Sequence, residues 1–299
     1  MTACGATARL HSYGRRTCVM PAGHQPVPSQ PSTSTEGWHQ SADGITIYHG
    51  EACAVLSTLP EASCDVLLTD PPYSSGGMFR GDRNRPVDEK YTQPTKGANG
   101  EFVKQYNGIF GGDNRDQRTW MMWTIGWSGN ALRVVRPGGY GFMFTDWRQL
   151  PATTDVLQLG GWSWRGLVTW DKGQHTGIPV RGLFRSNVEF IPWGTVGAIK
   201  DRERVTEFPG SVVTAPIAAN ADGAKDHPTQ KPTALLQHLL AIVPGERLTA
   251  LDPFMGSGST LVAARNLGHR CIGIEVEERY CEIAANRLAQ GVLDFGGAA

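Results

Sequence analysis

Polar and apolar residues alternate across Ile45–Tyr48, within ITIYHGEA, and a period of two predicts a half-buried strand. A short helix is expected over Ala52–Leu59, followed by the apolar run Val66–Leu68, which predicts a buried strand. Farther along, a helix is expected over Trp120–Val135, ended by RPGG, and YGFMFT reads as another buried strand. A helix near Thr154–Leu159 precedes the strands WRGLVTW and NVEFIPW. PTALLQHLLAIV is an amphipathic helix opened by Pro232, a favoured first-turn residue. The chain then runs through strand RLTALDP, a glycine loop, helix STLVAARNLG, strand CIGIEV and helix EERYCEIAANRLAQ. Strands alternating with helices predict an α/β fold around a largely parallel sheet.

Other stretches lack this periodicity. Residues 1–42 are rich in Ser, Pro, Gln, Thr and Gly, as in PVPSQPSTSTEG. They carry too little apolar surface to offset the entropy of ordering and are expected to form a disordered tail. Residues 43–299 then make a single domain, with variable loops at about 74–118 and 171–226. The first is too long for a passive connection. It also leans basic, through Arg80, Arg83, Arg85, Lys90, Lys96, Lys104, Arg115 and Arg118.

Composition narrows the class. A chain of 299 residues can bury a sizeable core, and 40% hydrophobic with 19% charged residues is ordinary for a soluble enzyme. The formal net charge of zero argues against a nonspecific polyanion binder, although a neutral total can conceal a basic face. No apolar run approaches the roughly 20 residues needed to span a bilayer, so no membrane partner is expected. The start, MTACGATARLHSYGRR, has no apolar core of a secretory signal. The six cysteines lie far apart and make no C-x-x-C pair. Neither a metal site nor a disulfide framework is expected, and a reduced, cytoplasmic setting is.

The segment LTALDPFMGSGSTLVAARNLGHRCIGIEVEERY is strand, glycine loop, helix, strand and acid. Glu275 falls about 20 residues after the loop, the spacing of a nucleoside-binding βαβ unit. Gly256 and Gly258 let the backbone pass close to a ligand, and Glu275 can accept from both ribose hydroxyls. A tight βα turn without a ligand would favour the same glycines. The third glycine of a pyrophosphate loop is replaced by Leu261, and Asp252 at the strand end would repel phosphate. An acid there suits a cationic ligand, and S-adenosylmethionine, with its ammonium and sulfonium, fits.

VLLTDPPYSS poses the second chemical question. Pro71 and Pro72 cannot extend a ladder, so the strand stops and Asp70 stands at its carboxyl end, where open α/β sheets bind ligands. The stiff turn would hold the Asp70 carboxylate and the Pro71 carbonyl as fixed acceptors for both hydrogens of an exocyclic amine. Tyr73 would offer a face for an extruded base. A rigid turn with a capping Asp is the bland alternative.

Together these blocks resemble the amino-methyltransferases of DNA, the N6-adenine and N4-cytosine enzymes. Their order resembles the β class, in which DPPY precedes the cofactor loop. ITIYHGEACAVLSTLPEASCDVLLTDPPY, DHPTQKPTALLQHLLAIV and LDPFMGSGSTLVAARNLGHRCIGIEVEERYCEIAANRL carry the likeness, over about residues 44–290. The resemblance implies a Rossmann-like S-adenosylmethionine-dependent fold, a mixed seven-stranded sheet with circularly permuted motif order. It implies a catalytic site of Asp70, Pro71, Pro72 and Tyr73. Asp252, Phe254, Gly256 and Gly258 would line the cofactor, Glu275 its ribose, and His227, Thr229, Lys231 and Pro232 its methionine end. Glu51 stands where the family usually has Asp, and would reach the adenine edge of the cofactor; Ser259 stands where Thr is commoner.

The implied partner is double-stranded DNA, the setting a restriction-modification system or phage, and a homodimer is compatible with the class. No nuclease motif stands out. Asp before Pro-Pro-Tyr is commoner in adenine enzymes and favours N6, with cytosine N4 the alternative. Arg80, Arg83, Arg85, Lys172, Arg181 and Arg185 are candidates for phosphate or base contacts. Cys53 and Cys64 precede the strand tip and are poorly placed as nucleophiles. A non-catalytic DNA-binding module of this fold and a nicotinamide-dependent dehydrogenase are the rival classes; intact Asp70 and Tyr73 weigh against the first, the missing glycine against the second.

Overall fold

The computed structural model describes residues 39–40, 43–73, 92–96, 102–106, 115–173, 181–216 and 231–289. Its strands are β1 (His39–Gln40), β2 (Ile45–His49), β3 (Cys64–Thr69), β4 (Thr92–Lys96), β5 (Phe102–Tyr106), β6 (Val135–Met143), β7 (Ser163–Asp171), β8 (Val188–Thr195), β9 (Val212–Thr214), β10 (Thr249–Asp252) and β11 (Arg270–Glu275). Its α-helices are α1 (Ala52–Thr58), α2 (Gln117–Val134), α3 (Leu150–Leu159), α4 (Thr233–Leu240), α5 (Ser259–Asn266) and α6 (Glu278–Ala289).

Nine strands form one sheet in the order β1-β2-β11-β10-β3-β6-β8-β7-β9. Seven of them make the mixed sheet that the resemblance implies. The other two, β1 and β9, are edge additions of two and three residues. β1 lies inside the stretch read as a tail, where it pairs antiparallel with β2; the rest of residues 1–42 apart from Gln40 and His39 falls outside the described residues. From β2 to β6 every neighbouring pair is parallel, and β6, β8 and β7 run antiparallel. Within the basic stretch 74–118, β4 and β5 pair antiparallel.

The central strands are apolar on both sides because both faces are covered. One face packs Val66, Leu68 and Ala250 against Leu235 and Leu239 of α4, Ala263 of α5 and Ala284 of α6. The other packs Leu67 and Leu251 against Leu56 of α1, Trp127 and Ala131 of α2 and Leu157 of α3. β6 begins directly after α2, so RPGG lies in the strand rather than in a turn before it. Gly139 makes this possible, since a Cβ there would stand 2.6 Å from the Asp65 carbonyl oxygen on the neighbouring strand. No described helix is long and apolar enough to cross a membrane.

Candidate active site

The carboxyl ends of β3, β10 and β11 lie side by side in the parallel part of the sheet, the edge at which open α/β sheets hold ligands. β3 delivers Asp70, β10 ends on Asp252 and β11 ends on Glu275. The first two strand ends are joined by a buried bond in which the Thr69 hydroxyl donates to Asp252 Oδ1 at 2.8 Å. Asp252 Oδ1 also accepts from the Phe254 backbone N–H at 3.1 Å, which pins the start of the glycine loop. Burial pushes the Asp252 carboxyl up to about 6, against the bonds from Thr260, Thr69 and Phe254 that favour its ionised form.

In the loop, Gly256 has φ +50° and open space where a Cβ would stand, a gap that admits a ligand against the backbone. Gly258 serves packing as well: at φ +82° it caps α5, and a Cβ would stand 2.8 Å from the Cβ of Ala284 on α6. Glu275 Oε2 accepts from the Gly256 N–H at 3.0 Å and Oε1 from the Glu277 N–H at 2.9 Å. The Val276 N–H also favours its ionised form, and of the four acceptor positions of a carboxylate these donors leave room for a hydroxyl. Phe254 joins a ring cluster with Trp123 and Trp127 of α2, centroids 5.3 and 5.0 Å away.

The DPPY turn is held from a distance. The Trp120 indole of α2 donates to the Pro72 carbonyl at 2.8 Å, and Tyr73, half-buried, packs on the cluster of Trp120, Ala152 and Val156. The Asp70 side chain is 26% exposed, yet its Oδ1 is buried and has no hydrogen-bond partner among the described residues. Its Oδ2 accepts from Lys231, whose side chain is only 9% exposed. The Lys231 ammonium lies 5.1 Å from the centre of the Phe144 ring and 5.9 Å from that of Trp170. It also stands 3.5 Å from Glu189 Oε2, while Glu189 Oε1 accepts from Lys172 at 2.5 Å. Asp70, Lys231, Glu189 and Lys172 thus form a chain of alternating charge.

Burial pushes the Asp70 carboxyl up; the Lys231 ammonium opposes that rise and the Glu189 charge adds to it. Burial alone would raise Glu189 too, but Lys231 and Lys172 outweigh it and hold this acid below the usual range. For Lys231, burial is outweighed by the two carboxylates, which hold its ammonium well above the ordinary value. Burial and the neighbouring charges thus oppose each other at all three groups, and burial prevails only at Asp70.

The remaining expected site residues have these contacts. Lys231 stands against Asp70, and Pro232 next to it leads into α4 as the residue before its first turn. Glu51 caps α1, accepting from the Ala54 N–H at 2.9 Å. Lys172, a candidate for a DNA contact, is engaged with Glu189; Arg181 and Arg185 are exposed. His227, Thr229, Arg80, Arg83 and Arg85 lie outside the described residues. Burial pushes the Cys64 thiol up to about 12 and that of Cys53 up to about 11, so neither is a ready thiolate. Motif reading missed Glu189, although an acid inside the apolar strand NVEFIPW was a signal, because an unpaired charge is rarely buried. A cavity of about 790 Å³ lies elsewhere, against Tyr140, Phe142 and Trp193, and holds none of these residues.

Residues 64–286 match the family profile described as DNA methylase, the N6 and N4 amino-methylating group. The chain belongs to the DNA methylase family. Among similar members is the type II methyltransferase M2.LlaDCHI of Lactococcus lactis subsp. cremoris, 27% identical over 271 residues, which cover 86% of this chain and 93% of the relative. The solved M1.HpyAVI–SAM complex shares the fold with a TM-score of 0.57 at 22% identity, over 82% of this methylase and 98% of that chain. The cytosine-N4-specific PvuII DNA methyltransferase does so with a TM-score of 0.64 at 15% identity, over 89% and 92%.

Proposed function

We propose that this DNA methylase transfers a methyl group from S-adenosylmethionine to the exocyclic N6 amine of adenine in double-stranded DNA. One observation carries the reading: an acid at a strand tip, with one carboxylate oxygen buried and unpartnered among the described residues, stands beside a glycine loop closed by a second acid. The residues present suit the cofactor. Gly256 leaves room at the loop, Glu275 is aimed by two backbone N–H groups and retains room for a ribose hydroxyl, and Phe254 supplies an apolar wall. Asp252 adds negative charge suited to a cationic ligand. When bound, S-adenosylmethionine supplies an electrophilic methyl group on its sulfonium.

The protein's part is to hold the amine. Asp70 Oδ1 and the Pro71 carbonyl would accept its two hydrogens and favour the pyramidal form, whose lone pair is free for the methyl group. As positive charge develops on nitrogen, the Asp70 carboxylate stabilises it and is the nearest base for the proton that nitrogen sheds. Positioning in line supplies much of the remaining acceleration. The base must leave the helix first, since its amine is unreachable in a duplex, and Tyr73 would receive its face.

Asp at the head of the PPY turn favours adenine. The likeness to a cytosine-N4 enzyme, at 15% identity, speaks to the fold alone. The test is to incubate the protein with duplex DNA and methyl-tritiated S-adenosylmethionine, digest the DNA and separate the nucleosides. Label in N6-methyladenine is expected. Label in N4-methylcytosine would overturn the base assignment, and unlabelled DNA the whole reading.

A further inference from the structure

We propose that Glu189 and Lys172, which lie outside every recognised motif, are positioning residues for the transfer. Their opposite charges, set one after the other outward from the Lys231 ammonium beside Asp70, govern how strongly that carboxylate holds the hydrogens of the target amine. The proposal rests on the amine-methylating reading above.

The geometry is one of relay. Lys231 reaches Asp70 from the segment before α4, Glu189 reaches Lys231 from β8, and Lys172 reaches Glu189 from the end of β7. Glu189 and Trp170 are cross-strand partners, and the Trp170 ring lies under both ammonium groups, 5.2 Å from Lys172 and 5.9 Å from Lys231. The Lys172 backbone N–H donates to the Asn187 carbonyl at 2.8 Å, which sets the register of the two strands at this point. A lysine side chain has four rotatable bonds, so one carboxylate alone would not hold its ammonium in place. Two carboxylates and two ring faces do so here, at low exposure.

The alternating signs make a specific demand. The charged groups that face Asp70 are Lys231, Glu189 and Lys172, and on the neighbouring strand Asp252, which interacts with it electrostatically. Removing Glu189 deletes a negative charge and should make Asp70 a stronger acid. Removing Lys172 deletes a positive charge and should make it a weaker one. A purely structural role would weaken the protein or its activity at every pH, without moving the titration in opposite directions.

The test uses the full-length chain with aspartate labelled by ¹³C at the carboxyl carbon, free of cofactor and DNA. The Asp70 resonance is identified by its loss in Asp70→Asn. Its midpoint should fall in Glu189→Gln and rise in Lys172→Gln, each by about one pH unit, the scale of one nearby charge at partial burial. The acid limb of the methyl-transfer rate should move with it, roughly tenfold in rate on the limb for each unit, and Glu189→Asp should recover part of the parent profile. Cofactor binding by calorimetry shows that each variant is folded, and Lys172, at the outer end of the chain, is the milder lesion if Glu189→Gln does not fold. Midpoints that stay put, or move the same way in both variants, overturn the proposal. Opposite shifts in a parent chain that methylates no DNA would uphold the charge linkage and overturn the activity it was built to serve.

Discussion

Asp70 and Asp252 end adjacent strands, yet their surroundings differ. Asp252 is buried and answered by neutral donors, the hydroxyl of Thr69 on the next strand and the N–H two residues ahead of it. Glu275, across the same loop, is likewise answered by nearby backbone N–H groups. Asp70 has one oxygen on the Lys231 ammonium and one oxygen buried without a partner among the described residues. The acids beside the glycine loop are thus met by protein donors, whereas the strand tip keeps one acceptor open among the described residues. A buried acceptor left open costs roughly 1–3 kcal/mol, and such a cost at a strand tip is what a site built to hold an amine would carry.

The comparison breaks most sharply at Asp70. Asp70→Asn keeps the shape but exchanges an anionic acceptor for a neutral amide, and should cut methyl transfer by at least about 10²–10³, as loss of a charge-stabilising group does. Cofactor affinity, measured by calorimetry, should stay within about twofold, since a uniform site energy is not what Asp70 provides. Near-parental turnover would remove Asp70 from the chemistry.

Next comes the burial of Asp252. Its carboxyl rises from 3.8 to about 6 on folding, so the folded chain holds a proton that the unfolded chain releases. Folding is favoured by this group below about pH 4, and that advantage is lost as pH rises through about 6. Asp252→Asn keeps an oxygen for Thr69 and Phe254 but sheds the charge. It should stabilise the free protein at pH 7 by about 2–3 kcal/mol and flatten the stability profile between pH 4 and 6, seen by urea unfolding across that range. An unchanged slope would mean that Asp252 is not the source.

Glu275→Ala should weaken S-adenosylmethionine by about 1–3 kcal/mol, roughly 5- to 150-fold, because ribose hydroxyls lose their acceptors and the Gly256 N–H loses its own. Equal affinity by calorimetry would take the ribose away from this acid. The smallest effect is expected at Tyr73, where Tyr73→Phe keeps the ring on Trp120 and Val156 and should leave turnover within about twofold, whereas Tyr73→Ala should lose about 1–3 kcal/mol of base stacking. Because the ring also packs on that cluster, melting temperatures are needed beside turnover. If Tyr73→Ala loses stability and cofactor affinity in step with rate, the ring is scaffold rather than platform.

Residue order was enough to read the alternation of strands and helices, the glycine loop and the acid that closes it. Those features depend on contacts within a few turns of chain: Val66–Leu68 is buried by being continuous and apolar, and Glu275 meets Gly256 through one βαβ unit. The DPPY turn was legible too, since two prolines end a strand wherever they occur. The partners of Asp70 were not. From the sequence, Lys231 reads as part of the cofactor pocket and Lys172 as a candidate for a DNA contact, and neither reading names their ion pairs, because a motif says which residues travel together and not which charges meet. Glu189 and Lys172 come to Lys231 only when β7 and β8 pair antiparallel and the sheet sets β8 beside β6. Long-range ion pairing of buried groups is decided by that packing. The low dielectric that makes an unpaired charge costly is itself created by the fold.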